Sequence, residues 1–450
     1  MYKTIGNREM RDNNEAIVYQ SKLHLSEIKI SGYKHCATVI IAASLINTDT
    51  VIELHNVPRI DDIKYMTEII IKLGGAVDYY DNKLLINPKQ LCDYKVPEEY
   101  SQHIHGAIYL LPVLLGRFKR VELGNCGGCQ IGNTTFIGKR PIDHMLSILE
   151  KFGANFQKEN GKILGSINSF NECTIDIMDY SEEKEILTGP LISGATKTAI
   201  LAAAAVRSGK TKIINFYPKP DVTELLKFME QIGYIVTYGT NFIEISPAQM
   251  QSKQLSYNLM SDISQIMTYI SLSVYHDIPL LLTNITVDKV KKGLETEISY
   301  LEKMGIKLRF MENAIKIDRI AEILPLHINV TSVGIYSDHQ PFFALMFFRA
   351  NGFSSIKEYV WKSRFAYAKQ LLMLGFRLNL EGNTLEIIPS EPNKSNQILH
   401  ADDLRAAAVL LIASLKVPGQ TTIKSIHHLT RGYDHFIDDL ISLGAKIEVM

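Results

Sequence analysis

Two helical patterns alternate along this chain, and they differ in how far the apolar positions reach round the helix. One is amphipathic and ends in Leu-Gly, Phe-Gly, Ile-Gly or Met-Gly, after which apolar and polar residues alternate in short runs. Its copies read IIIKLGGAVDYYDNKLLI, ILEKFGANFQKENGKIL, FMEQIGYIVTYGTNFIEI, YLEKMGIKLRFMENAIKI, QLLMLGFRLNLEGNTLEI and DLISLGAKIEVM. A glycine directly after a helical stripe is the usual left-handed cap. Alternation interrupted by Asn, Asp or Gly predicts a β-hairpin. The marker glycines are Gly74, Gly153, Gly233, Gly305, Gly375 and Gly444, so consecutive copies lie 79, 80, 72, 70 and 69 residues apart.

The second pattern is apolar nearly all round and runs through a polar turn into a strand, as in IIAASLINTDTVIEL, ILAAAAVRSGKTKII, FFALMFFRANGFSSIKE and VLLIASLKVPGQTTI. A helix of that kind must be buried. Equal periods of this size predict a repeat architecture of α/β units. Periodicity alone leaves open whether the six units form an open solenoid or close into two groups of three.

The polar residues that introduce the buried helices read SGYKHCA from Ser31, SQHIHGA from Ser101, SGATKTA from Ser193, SDISQIM from Ser261, SDHQPFF from Ser337 and DDLRAAA from Asp402. Each opens with a residue type suited to an N-cap. A helix start also presents unpaired N–H groups and a positive dipole end, which suit phosphate or carboxylate. For any one of them a plain cap is the simpler account. The joint occurrence of Lys34, His35, Lys197, Asp338, Asp403 and Arg405 near these ends favours a site. Units grouped about pseudo-threefold axes would point their helices one way, and two facing lobes would gather six helix starts round one cleft.

Length changes this picture little: 450 residues predict two or three domains. Charge narrows it. Lys+Arg and Asp+Glu are both 48, an even balance that predicts neither a nucleic-acid nor a membrane-surface partner. The first twenty residues hold no apolar core of signal-peptide length, and no apolar run approaches the roughly 20 residues of a membrane span. The five cysteines, Cys36, Cys92, Cys126, Cys129 and Cys173, are sparse and odd in number. A cytoplasmic protein with free thiols is expected.

Four stretches carry a resemblance: DDLRAAAVLLIASL with IHHLTRGYDHFIDDLISLGAKIE at the end, GGCQIG, KRPIDHM, and SGYKHCATVIIAASL. Together they resemble the C-terminal signature, catalytic loop, uridine side and first helix of the UDP-N-acetylglucosamine enolpyruvyl transferase family, over nearly the whole chain. The resemblance implies an α/β fold of two inside-out α/β barrels built from six repeated units, three per lobe. It implies a first lobe of residues 34–255, with the catalytic loop near 124–140, and a second lobe of 1–33 plus 256–450. It also implies a transferase that moves the enolpyruvyl group of phosphoenolpyruvate to a sugar hydroxyl, without metal or other cofactor, in peptidoglycan precursor synthesis.

The same resemblance assigns roles. Lys34, Arg140 and Arg431 match the family's cations around phosphoenolpyruvate; an arginine's planar fork grips an oxyanion bidentately. Arg364 and Arg405 match two further arginines. Asp338 matches the aspartate that handles the acceptor hydroxyl, and Asp403 a second acidic partner that is equally well placed as a helix cap. Asp143 matches the uridine contact; Ser193 and Gly194 match the helix start facing the diphosphate, with Lys197 adding charge nearby. Cys129, aligned on GGC, matches the cysteine that protonates the enol carbon, whereas aligning backwards from RP selects Thr135. An inserted loop segment costs less than a lost proton donor, which favours Cys129. Cys126 and Cys129 also make a CxxC spacing, a weak metal or redox signal with no second pair.

Several family positions differ. His35 follows the catalytic lysine where the family has asparagine, His105 replaces an arginine, Ile192 a serine and Lys219 an acidic residue. These changes fall mainly on the acceptor side. They keep two alternatives in view: the same chemistry on another nucleotide or sugar, and a binding relative without catalysis.

Overall fold

All six marker glycines adopt positive φ, from 87° at Gly305 to 104° at Gly153, the left-handed conformation that ends a helix without a Cβ clash. Five are followed by antiparallel hairpins, such as Ala76–Tyr80 with Lys83–Asn87 and Asn155–Glu159 with Lys162–Ser166. The turns between these strands use Asp81-Asn82 and Asn160-Gly161, all with φ above zero. The computed structural model describes residues 14–127, 141–183, 185–247, 253–361 and 364–450.

The sixth copy departs from the pattern in its pairing. Its strand Lys446–Val449 pairs instead with Glu15–Tyr19 near the start, Ala16 lying opposite Val449 on one side and Ile423 on the other. Among the described residues there are six four-stranded sheets of one design. In each, an edge strand runs parallel to its neighbour and the remaining pairs are antiparallel. In one, Gln254–Asn258 runs parallel to Val51–His55, and Lys83–Asn87 and Ala76–Tyr80 complete the sheet. Period-two burial follows, with Ile52, Leu54, Leu84 and Ile86 turned inward.

The helices that are apolar all round are buried as their composition demands. Every residue of Gln340–Phe347 and of Leu404–Ser414 is buried. In Lys34–Ala43 only His35 escapes, and in Ile192–Ala203 only Ser193. The other two are Leu110–Phe118 and Ile263–His276. The amphipathic helices, among them Asp61–Lys72 and Pro220–Gln231, keep one face outward.

The chain divides into two compact units. One holds residues 32–127 and 141–259; the other holds 14–31 and 260–450. Each contains three sheets and three buried helices, with helices inside and sheets outside, so each is an inside-out α/β barrel of three repeats. In the second unit all three buried helices touch one another.

One expectation about the helix starts is corrected. Of the six opening Ser and Asp residues, none caps its buried helix through its side chain. The side-chain caps are Asp262, accepting from the N–H of Ser264 and Gln265, and Asp403, accepting from those of Arg405 and Ala406. The serines bond elsewhere: Ser101 donates to the carbonyl of Asn125 at 2.9 Å, and Ser261 to that of Asn284 at 2.7 Å. In the second repeat the helix start is displaced by a short 3₁₀ turn, Gly106–Tyr109, so Ser101 closes the preceding short helix Glu98–Ser101.

Candidate functional site

In the first unit three predicted residues stand within the first two turns of buried helices. Lys34 is the first residue of Lys34–Ala43, and its Nζ lies 2.8 Å from Oδ2 of Asp62, in the first turn of Asp61–Lys72. Both are buried. His35, next along, is half-buried and stands edge-on to Tyr33, ring centroids 5.4 Å apart. Lys197 is a full turn into Ile192–Ala203, and its Nζ lies 2.6 Å from Oδ2 of Asp221 at the start of Pro220–Gln231.

The Lys197 ammonium also sits over the Tyr109 ring, 5.2 Å from its centroid. Burial pushes this ammonium down, but Asp221 and then Tyr109 outweigh it and hold Lys197 above the ordinary lysine value. Reciprocally, burial raises the Asp221 carboxyl, while Lys197 and His35 hold it below its ordinary value. The pair is therefore charged on both sides and neutral in sum, so the free charge expected of Lys197 is already balanced. His105 precedes the 3₁₀ turn that packs on Lys34–Ala43, and is half-buried.

Asp143 opens the helix Asp143–Lys151, is exposed, and is ion-paired with Lys158. Its neighbour His144, which sequence reasoning missed, is 8% exposed, and among the described residues neither ring nitrogen has a hydrogen-bond partner. The ring fits because residue 194 is glycine: a Cβ there would lie 2.8 Å from His144 Nε2. Ser193 beside it is half-buried in the first turn of its helix. Burial pushes the His144 imidazole down to about 4 against the pull of Asp143.

Between pH 6.5 and 4 the unfolded chain takes up a proton on this side chain that the folded protein excludes, so stability falls as pH falls. His144→Leu is expected to recover ~2 kcal/mol at pH 5 relative to pH 7. Urea unfolding at the two pH values measures it, and equal differences at both would contradict this account of the burial.

In the second unit four predicted residues form one connected network. Arg364, 1% exposed, donates from Nη2 to Asp338 Oδ1 at 2.7 Å, from Nη1 to Asp403 Oδ2 at 3.1 Å, and from Nε to the Ser337 carbonyl at 3.3 Å. Arg405, 2% exposed, donates to Asp338 Oδ2 at 3.2 Å and to the Tyr433 hydroxyl at 2.9 Å. Tyr433 and Thr268 share a further bond of 2.8 Å. Asp403 thus caps its helix through Oδ1, one of the two readings of it, and accepts from Arg364 through Oδ2.

Burial lowers the Arg364 guanidinium, but Asp403, Asp338 and Glu358 carry it above the ordinary arginine value. Arg405 is raised likewise, burial being outweighed by Tyr433 and Asp338. The side chain of Asp338 keeps 28% exposure: two buried cations aim one carboxylate outward. Glu358, 1% exposed, is a further acid close by; burial pushes it up to about 7 although the N–H groups of Val360 and Trp361, the Ser337 hydroxyl and Arg364 pull it down. Arg431 is half-buried at the end of the 3₁₀ helix Ile426–Arg431, which packs on Leu404–Ser414. Arg431 stands close enough to help lower the His428 imidazole, after burial.

Cys129 and Arg140 lie outside the described residues. Cys126 is described: it is half-buried, and burial pushes its thiol up to about 12. Among the described residues no group of three or more His, Cys, Asp or Glu side chains is arranged to hold a metal ion. Asp62, Asp221, Tyr433 and Glu358 join the clusters without having been predicted. Only Asp221 carried a signal, an acid directly after a proline at a helix start.

Residues 19–440 match the EPSP synthase (3-phosphoshikimate 1-carboxyvinyltransferase) family. The chain is 30% identical over 430 residues to a UDP-N-acetylglucosamine 1-carboxyvinyltransferase of Campylobacter jejuni, covering 94% of this chain and 96% of the relative. It is 29% identical to the enzyme of that name from Actinobacillus succinogenes, covering 96% and 98%. Among solved structures, the enolpyruvyl transferase NikO from Streptomyces tendae superposes with a TM-score of 0.90 at 29% identity, covering 97% of this chain and 99% of that one. An EPSP synthase from Acinetobacter baumannii, with a TM-score of 0.68 at 14% identity over 97% of this chain and all of that one, shares the fold.

Proposed function

Because the chain belongs to the EPSP synthase (3-phosphoshikimate 1-carboxyvinyltransferase) family, we propose that it transfers the enolpyruvyl group of phosphoenolpyruvate to a hydroxyl of UDP-N-acetylglucosamine and releases phosphate. The observation that carries this reading is Asp338, half-exposed and gripped by the buried Arg364 and Arg405. An alcohol adding across the enol double bond must be oriented and must lose its proton. A carboxylate fixed by two cations orients a hydroxyl well, and its effect is mainly orientation because an ordinary carboxylate is a weak base.

Lys34, Arg140 and Arg431 bind the phosphate and carboxylate of phosphoenolpyruvate. Lys34 sits at a helix start, where N–H groups and the dipole add to its charge. Cys129 gives the proton to the enol carbon; phosphate then leaves from the tetrahedral adduct as that proton returns. Asp143, Ser193, Gly194, Lys197, His35 and His105 contact the acceptor, with Asp403 holding Arg364. The reading implies peptidoglycan precursor synthesis in the cytoplasm, with small-molecule partners alone. Among the described residues no helix is long and apolar enough to cross a membrane.

A second reading keeps the chemistry and changes the acceptor to another nucleotide or sugar. It is favoured by the acceptor side itself, where Lys197 is neutralised by Asp221 and the buried His144 fills the space beside Gly194.

The test is phosphate release from phosphoenolpyruvate with UDP-N-acetylglucosamine, UMP and shikimate 3-phosphate as acceptors. Release with UDP-N-acetylglucosamine is expected. Release with UMP alone moves the assignment to the second reading, and release with none overturns both. Cys129→Ser is expected to lower turnover about 10²-fold or more, the scale of a lost general acid. Cys126→Ser should stay near the unmodified protein, because burial disfavours that thiolate. Equal effects of the two changes would remove Cys129 from the mechanism.

A further inference from the structure

Ser337, Asp338 and His339 are consecutive, and the outer two are buried while the middle one reaches outward. Each outer side chain is tied to a different buried glutamate. The Ser337 hydroxyl donates to Glu358 Oε2 at 2.8 Å, and Glu358 Oε1 accepts from the N–H of Val360 at 2.7 Å and of Trp361 at 3.2 Å. His339 Nδ1 lies 2.8 Å from Glu297 Oε1, which also accepts from the Tyr336 N–H at 3.0 Å. On its far side His339 Nε2 lies 3.1 Å from the Ser264 hydroxyl. Glu297, His339, Ser264 and Glu358 are each 1% exposed.

The order Ser264, His339, Glu297 has the hydrogen-bond logic of a nucleophile, its base and the group that orients the base. A nucleophile must meet its substrate, however, and Ser264 is closed off in the first turn of a buried helix, its N–H bound to the Asp262 cap at 2.7 Å. The relay therefore has a different use. Burying carboxylates carries a large desolvation penalty, and apolar side chains would hold a loop in place without it. What hydrogen bonds add is direction. With Nδ1 donating to a carboxylate and Nε2 accepting from a hydroxyl, the imidazole is fixed in one tautomer and one plane.

We propose that Glu297 and Ser264, through His339, and Glu358, through Ser337, are positioning residues that aim Asp338 from both sides. The inference rests on the reading of Asp338 as the acceptor-side carboxylate. Arg364 and Arg405 hold its oxygens, and the two glutamates hold the backbone on which it stands. Glu297 comes from the helix Glu295–Lys303 and Glu358 ends the strand Ser354–Glu358, so two separate elements set one side chain. His339 supplies the link on one flank, at the N-cap position of Gln340–Phe347.

The experiment is a double-mutant cycle on the full chain, with phosphate release as readout. Ser264→Ala and Glu297→Gln are each expected to lower kcat ten- to hundredfold while KM for phosphoenolpyruvate stays within twofold. In an Asp338→Asn background the same changes should cost nothing further, since their effect passes through the carboxylate already removed. Multiplicative losses in that background, or a KM that rises in step with the fall in kcat, would overturn the proposal. A second measurement is independent of activity: NMR of the histidine-labelled protein should show a strongly downfield Nδ1 proton, assigned by its loss in His339→Gln and shifted in both Glu297→Gln and Ser264→Ala. Absence of that proton in the unmodified protein also overturns it. An unmodified protein inactive with every acceptor but showing that proton would count against the proposed reaction and leave the relay standing.

Discussion

Arg364→Met is expected to destabilise the protein by ~3–5 kcal/mol, the range for removing one partner of a buried ion pair. The guanidinium is 1% exposed and serves three acceptors at once: the Ser337 carbonyl, Asp338 and Asp403. Removing it strips the inner donor from Asp403 Oδ2 and one of two cations from Asp338. Methionine fills most of the volume, so the loss isolates the polar term from cavity formation. Arg364→Lys should recover little, because a single ammonium cannot reproduce a planar fork directed at three acceptors. Urea unfolding checks both variants. A loss below ~1 kcal/mol for the methionine variant would mean that the network behaves like a surface ion pair.

Lys34→Met is expected to lower kcat/KM for phosphoenolpyruvate about a hundred- to a thousandfold, equivalent to ~3–4 kcal/mol of transition-state stabilisation. The ammonium stands at the start of Lys34–Ala43, 2.8 Å from Asp62. Its loss removes the charge that the proposed reading gives to phosphoenolpyruvate and leaves Asp62, 5% exposed, without this partner. The two consequences separate in a cycle. Adding Asp62→Asn to Lys34→Met should restore stability, because the buried negative charge is removed together with its cation, but should restore no activity. Activity recovered in the double variant would make Lys34 a structural partner of Asp62 and no more.

Particular residues show how much of this was legible beforehand. The six glycines were readable because left-handed backbone at a helix end favours one residue type, and all six have it. The hairpins were readable from period-two alternation, except the sixth, whose missing strand lies more than 400 positions away at Glu15–Tyr19. No local pattern encodes that pairing. The helix caps were misread for a related reason. Serine suits a cap, but it also bonds a carbonyl or a glutamate, and tertiary neighbours decided which. Ser337 binds Glu358, and Ser101 binds the carbonyl of Asn125.

The site was legible in part. Asp338, Arg364, Asp403 and Arg405 were named from motifs, and the structure joins them in one network. Glu297 and Glu358, which bond His339 and Ser337 on either side of Asp338, were not, because an isolated acid on an amphipathic helix or at a strand end reads as a solvated charge. Lys197 was read as added positive charge, and a buried Asp221, 24 positions on, neutralises it.

The six-unit α/β repeat with which the chain announces itself was settled by sequence alone, because helix burial, glycine caps and hairpin turns depend on residues within a few positions of one another. The electrostatic character of the site was settled only by tertiary structure. Whether a charged side chain is free, paired or neutralised depends on what burial brings within 3 Å of it, and here those partners stand two dozen or more positions away, Asp62 beside Lys34, Asp221 beside Lys197 and Asp338 beside Arg364.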